Sequence, residues 1–323
     1  MKKTGDIKNR MNRLGKHGEP FVFLIDFEMK KPVVFPLSEL TGKIWFQIPG
    51  HSNAPSPKSN ATIEKWETKP VPFEKYKTGF DLVRHYIYNG DTYLLNYTQP
   101  ARVETNLTLK DIFHISSAKY KIFLKNKFVC FSPETFIKIE NGKIFSFPMK
   151  GTIDAGIENS EKLILRDAKE IAEHNTIVDL IRNDLSLIAE NVTVDRFRYL
   201  DLIKTNQKNL WQVSSQISGE LPENYTENIG DIVFTLLPAG SISGAPKKKT
   251  VEIIRNAEKY NRGYYTGIFG YFDGKNLDSC VLIRFIENKN GQLVYKSGGG
   301  ITFMSEAEKE YEELLKKIYV PIA

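Results

Sequence analysis

The chain has 323 residues, 41% hydrophobic and 26% charged, with a formal net charge of +6. That composition belongs to an ordinary globular protein long enough for a sizeable core. It excludes a helical membrane protein, because no apolar run approaches the ~20 residues a spanning helix needs. The basic residues are spread along the chain, with clusters only at the N-terminus and at residues 246–250, and none of the usual nucleic-acid motifs is present. A small anionic ligand is the economical reading of the charge. The basic start lacks the apolar segment of a secretory signal. Cys130 and Cys280 both lie in apolar, strand-like runs and read as buried small hydrophobes rather than a disulfide or zinc pair. A cytoplasmic address follows as an expectation.

Aromatic and β-branched runs at 21–28, 32–37 and 43–49, broken by Gly, Pro and Ser, predict strands. Residues 54–61 are loop-like in composition. A helical pattern over 73–90 precedes a strand over 91–104, and residues 128–152 contain a hairpin at Asn141-Gly142. Helical residues begin near 160, and the periodic segment 168–190 aligns Ile177, Leu180, Ile181, Leu185 and Ile188 on one stripe. Strands return in the last third, and a helix closes the chain. Strands in groups, without strict strand–helix alternation, predict an α+β fold with mostly antiparallel sheets. No internal repeat or composition shift divides the chain, so residues 1–323 are expected to form a single domain.

Several residues carry chemistry. In "FSFPMKGTID" (145–154), Lys150 sits between a strand-like run and a Gly-Thr turn, where a pinned amine could act as a nucleophile or point into solvent. Glu173 falls on the apolar stripe of the 168–190 helix, a costly place for a carboxylate unless it is paired, metal-bound or at the helix edge. The final helix opens with Ser305 and Glu308 as a capping box. Its apolar stripe is Ala307, Tyr311, Leu314, Leu315 and Ile318, and Glu310, Glu313 and Lys317 share one flank. Just before it, "SGGGITF" offers the backbone of Gly298, Gly299 and Gly300 as a cup for an anion. A cupped anion beside carboxylates suggests Mg²⁺ bridging protein and substrate carboxylates.

These pieces resemble the chorismate-utilising enzymes. The similar motifs are "FSPETF", "PMKGT", "AEHNTIVDLIRNDL", "SSQISG", "LLPAGSISGAPKKKT", "GYYTGIFGYF", "VLIRF" and "SGGGITFMSEAEKEYEELLKK", in the family's order from about residue 131 onward. The part of the chain before Phe131 matches more loosely, through "GDTYLLNYTQ". The resemblance implies a two-layered, mostly antiparallel β-structure with flanking helices and an active site between the layers. It implies that Glu173, Glu310 and Glu313 hold Mg²⁺ against the ring carboxylate of chorismate. Tyr265 and Arg284 would take the enolpyruvyl carboxylate, with Thr152, Gly298, Gly299, Gly300 and Lys317 also binding substrate. Glu134 of "SPE" would be the general acid at the departing C4 hydroxyl.

Relatives that make the ortho-amino product or isochorismate typically carry a small residue where Lys150 stands, whereas those making the para-amino product tend to carry lysine. The implied reaction is amination of chorismate to 4-amino-4-deoxychorismate, for p-aminobenzoate and folate synthesis. It would proceed by attack of the Lys150 amine at C2 and ammonia at C4. The amine must be unprotonated, so its pKa must fall, as burial and the field of magnesium would make it. Gln212 and Leu94 depart from the family's usual histidine and its glutamine or lysine, and Leu94 disfavours addition of water. Neither cysteine lies in a Gly-flanked elbow, so ammonia is expected from a separate glutamine amidotransferase subunit. Nucleic-acid and membrane partners are not expected. Anthranilate synthase activity and a non-catalytic anion or nucleic-acid binder are the competing readings.

Overall fold

The computed structural model describes residues 2–56, 61–203 and 209–322. In chain order, helix α1 (Lys2–Lys16) leads into strands β1 (Phe21–Ile25), β2 (Val33–Pro36), β3 (Ile44–Ile48), β4 (His51–Ser52) and β5 (Trp66–Lys69). Helix α2 (Phe73–Tyr88), β6 (Leu94–Thr105) and α3 (Leu109–Ile115) follow. The central strands are β7 (Tyr120–Leu124), β8 (Phe128–Ser132), β9 (Thr135–Glu140), β10 (Lys143–Ser146) and β11 (Met149–Asp154). Helices α4 (Ser160–Arg166) and α5 (Ala168–Leu185) lead to β12 (Glu190–Ile203) and β13 (Leu210–Glu220). The chain ends with α6 (Ile229–Thr235), β14 (Gly244–Ala245), α7 (Lys247–Glu258), β15 (Ile268–Phe272), β16 (Leu277–Val281), β17 (Phe285–Lys289), β18 (Gln292–Ile301) and α8 (Ala307–Lys316).

These elements gather into two compact units, each assembled from three separate stretches of chain. The first takes the segment ending at Leu37, Thr135–Ser241 and Gly270–Ser279. Its nine-stranded sheet runs β11-β13-β10-β9-β16-β15-β1-β2, with β12 on the other edge of β13. Phe21 and Phe23 of β1 and Phe272 of β15 are fully buried in it. Gly270 is required there, because a Cβ would lie 2.2 Å from the Phe23 ring. The second unit takes Ser38–Glu134, Ile242–Phe269 and the segment from Cys280 onward. Its sheet runs β14-β6-β18-β17-β8-β7-β3-β4, with β5 paired to β6, nine strands among the described residues. The stacked rings of Phe128 and Phe285, 4.6 Å apart, and the buried Phe80, Tyr97 and Tyr295 anchor its core. The described ladders are antiparallel and helices flank both sheets, so the α+β fold class holds.

The predicted hairpin is present: Glu140 faces Lys143 across Asn141 and Gly142, both at positive φ, the geometry a two-residue turn requires. Both cysteines are fully buried, as expected. The basic N-terminus, to which the sequence assigned no element, is a helix, held by buried Met11 and Leu14 one turn apart and by a Lys8–Asp231 ion pair at 2.7 Å. Two local readings need correction. The helix expected over 168–190 stops at Leu185, and residues 190–203 form a long, largely exposed strand. Register shifts interrupt the alternation of β12 and hide it from a period-two reading. The Ser305–Glu308 capping box does not form: Glu306 occupies the N-cap, and the Ser305 hydroxyl instead accepts the Thr302 N–H at 3.2 Å, closing the turn before the helix. No helix among the described residues is long and apolar enough to cross a membrane.

Candidate active site

In the first unit, Lys150 stands at an irregularity in β11. Met149 faces Ser214 and Thr152 faces Gln212, so Lys150 and Gly151 together oppose Val213 alone. Such a bulge re-aims a side chain out of the pleat. Gly151 makes it possible, because its φ is positive, where a side chain is disfavoured. A Cβ at Gly151 would also come 2.7 Å from Glu170 Oε2. Lys150 Nζ then donates to Glu173 Oε2 at 3.1 Å, from a side chain only 20% exposed. Glu173 is 7% exposed on α5, whose N-terminus is capped by Asp167 accepting from the Glu170 N–H. The sequence left both residues a solvated alternative; the structure pairs them instead. Thr152 is exposed on β11, opposite Gln212.

Around this pair lies a buried network that the sequence did not disclose. His174 Nε2 meets Ser215 Oγ at 2.7 Å. The same hydroxyl accepts the Arg198 N–H at 2.9 Å, and the Ser215 N–H donates to Pro148 O at 3.0 Å, just before Lys150 in the chain. Burial depresses the His174 pKa to about 4, with Arg198 and Lys150 pushing the same way, so its ring is neutral near pH 7. Only a lone histidine beside Glu173 marked it in the sequence.

In the second unit, Gly298, Gly299 and Gly300 of β18 face Thr98, Tyr97 and Asn96 of β6. The β17 ladder ends at Lys296, so among the described pairings these glycines are bonded along one edge only. The expected cup is thus a strand edge. A Cβ on Gly299 would lie 3.4 Å from Glu313 Oε1, 3.5 Å from Glu310 Oε2 and 3.6 Å from Lys317 Nζ. The shared flank of α8 therefore converges on Gly299, as the helical spacing predicted. Lys317 Nζ also bonds Glu313 Oε1 at 2.6 Å and Gly298 O at 3.0 Å.

Tyr265 is buried against the Phe285 ring, and burial pushes its phenol well above the usual range. Arg284 holds a left-handed backbone at positive φ, uncommon for a long side chain and the kind of strain found at working sites. Its guanidinium lies 5.4 Å from the Tyr319 ring centroid, and its Nε has no hydrogen-bond partner among the described residues. Glu134 is half-buried between β8 and β9, its backbone held by Ser132 Oγ and the Val281 N–H.

Among the described residues no group of three or more His, Cys, Asp or Glu side chains is gathered to hold a metal. Glu310 and Glu313 are nonetheless a fitting donor pair: two carboxylates on successive turns, one 4% exposed, meeting over an open glycine. Magnesium is commonly held by one or two carboxylates, with water and substrate oxygens completing the set.

The sequence pattern of a family described as chorismate binding enzyme matches residues 36–323. The chain belongs to that family. It is 51% identical over 318 residues to an "Uncharacterized PabA-like protein" of Haemophilus influenzae, covering 96% of this chain and 95% of the relative. Anthranilate synthase component 1 of Acetivibrio thermocellus is 36% identical over 72% of this chain and 49% of its own length. Aminodeoxychorismate synthase component 1 of Escherichia coli is 30% identical over 81% of this chain and 60% of its own. Among solved structures, anthranilate synthase component I from Streptococcus pneumoniae superposes with a TM-score of 0.73, covering 93% of this chain and 80% of that one at 22% identity. That likeness shows the family's fold in this chain.

Proposed function

We propose that the chain is an aminodeoxychorismate synthase component I, converting chorismate and ammonia to 4-amino-4-deoxychorismate. Identity to relatives does not separate this reading from anthranilate synthesis. The observation that carries it is Lys150, lifted from the sheet by the Gly151 bulge and engaged by Glu173 rather than solvent. The Lys150 amine attacks C2 as both ring double bonds shift, C1=C2 to C1=C6 and C5=C6 to C4=C5, and the C4–O bond breaks. The hydroxyl leaves as water with a proton from Glu134. Ammonia then attacks C4, both double bonds shift back and the C2–N bond breaks, restoring the lysine amine. The nitrogen brought by ammonia returns the proton to Glu134. Tyr265, Arg284, Thr152, Lys317 and the Gly298–Gly300 backbone orient the substrate carboxylates. Glu310 and Glu313 would hold Mg²⁺, which when bound supplies positive charge against those carboxylates.

A separate amidotransferase subunit supplies the ammonia. Cys130 and Cys280 are the chain's two thiols; both are fully buried, and burial pushes the Cys130 thiol up, away from thiolate chemistry. The test is product identification after incubation with chorismate, Mg²⁺ and ammonium. Wild type should make 4-amino-4-deoxychorismate, and Lys150→Ala should lose most of it, with some ortho-amino product from direct attack at C2. Anthranilate from wild type, or an unaltered product at full rate from Lys150→Ala, overturns the reading. Glutamine should serve only when a second protein is added.

A further inference from the structure

We infer that Asn96 and Thr302 form the subsite that holds the incoming ammonia, an inference that rests on the reading of this chain as a chorismate aminase. Asn96 of β6 lies directly opposite Gly300 of β18. Residues so paired project from the same face of a sheet, and Gly300 adds no side chain to cover its neighbour. The backbone of Asn96 is locked. Its N–H donates to Ser243 O at 3.0 Å, and its C=O accepts Arg262 Nη2 at 2.6 Å. Arg262 is in turn held by Glu258 at 2.6 and 2.9 Å.

With so much fixed around it, the Asn96 side-chain oxygen is nevertheless buried and has no hydrogen-bond partner among the described residues. The same holds for Thr302 Oγ1, one residue past the end of β18 in a side chain 6% exposed. The Thr302 backbone is also fixed, its N–H donating to Ser305 Oγ. Buried acceptors left unpaired are costly and rare, and two beside the Gly298–Gly300 edge point to a ligand that donates. Leu94, two residues before Asn96 and therefore on the same face, is buried and brings no base.

The chemistry of this face suits ammonia. The molecule has three N–H donors and one lone pair, so two neutral oxygens can hold N–H bonds and leave the lone pair for carbon. A carboxylate in the same place would favour ammonium, which has no lone pair to give. Glu258, the carboxylate that meets this strand at Thr98, is already engaged by the Thr98 N–H, the Thr98 hydroxyl and Arg262.

The experiment is steady-state amination with ammonium chloride and saturating chorismate and Mg²⁺, comparing wild type, Asn96→Ala and the near-isosteric Thr302→Val. Each variant should raise the apparent KM for ammonia, by roughly tenfold for the loss of one buried hydrogen bond, with the KM for chorismate within about twofold. Circular dichroism identifies a misfolded variant, and Thr302→Val then carries the test. An unchanged ammonia KM in folded variants, as water-filled structural polar groups would give, overturns the inference. So does a chorismate KM that rises in step. Should wild type instead make the ortho-amino product, the para-amino reading fails, yet the ammonia KM comparison still decides the subsite. A wild type that incorporates no nitrogen from ammonium overturns both.

Discussion

Ser215 is the residue on which the Lys150–Glu173 geometry can be tested without touching either partner. Its hydroxyl serves the Arg198 N–H at 2.9 Å and His174 Nε2 at 2.7 Å, while its N–H holds Pro148 O. Ser215→Ala keeps the backbone bond and removes both hydroxyl contacts. Ser215 is fully buried and His174 is 1% exposed, so water cannot easily replace the lost partner at the ring. An unpaired buried polar group costs about 1–3 kcal/mol. With the Arg198 N–H only part-buried, the expected loss is about 2–4 kcal/mol. The assay is urea unfolding followed by tryptophan fluorescence, where Trp211, on the same strand, reports locally. Because His174 follows Glu173 along α5, its release should also let Glu173 shift from Lys150. Acylation of Lys150, quantified by peptide mass spectrometry, should then change in rate. A loss below about 0.5 kcal/mol together with unchanged Lys150 labelling would refute the argument.

His174 also predicts a pH dependence. Its folded pKa, about 4, lies below the ordinary 6.5, so the unfolded chain takes up the proton first on acidification. The stability it contributes is complete above about pH 6.5 and is lost as pH falls toward about 4, at most ~3 kcal/mol. Unfolding free energies measured across that window should fall less steeply in His174→Asn; an identical slope would exclude it. The Glu258–Arg262 pair, with both side chains 1% exposed, predicts a different outcome. Arg262→Met leaves a buried carboxylate with half its partners gone and should cost about 3–5 kcal/mol. Denaturant unfolding checks this, and a loss near zero would mean that the pair does not clamp β6.

Much of the architecture was legible in the residues. The Asn141-Gly142 turn needs positive φ twice, the α2 pattern has a strong 3.6 period, and the β1 run is apolar throughout because it is buried on both faces. The α8 flank was legible for the same reason, since helical spacing alone sets Glu310, Glu313 and Lys317 side by side. Less came through where local and tertiary signals differ. The α1 stripe is thin, with Met11 and Leu14 its buried apolar residues among many charges. The bulges of β12 break the period that would reveal a strand. Ser305 had the composition of a cap, but the turn at Thr302 claimed its hydroxyl.

The sequence by itself determined the family, the fold class and the chemical types at the site, because motif order, periodicity and turn chemistry are local properties of the chain. Tertiary structure alone decided which of those groups meet. The Lys150–Glu173 contact depends on a bulge register between β11 and β13 and on the seat of α5 against Ser215. Whether Asn96 keeps an unpaired oxygen depends on where β6 falls against β18, a strand from the far end of the chain. Register and packing of this kind are set by the summed contacts of whole strands and helices, and a one-residue slip would turn each of these side chains to the opposite face.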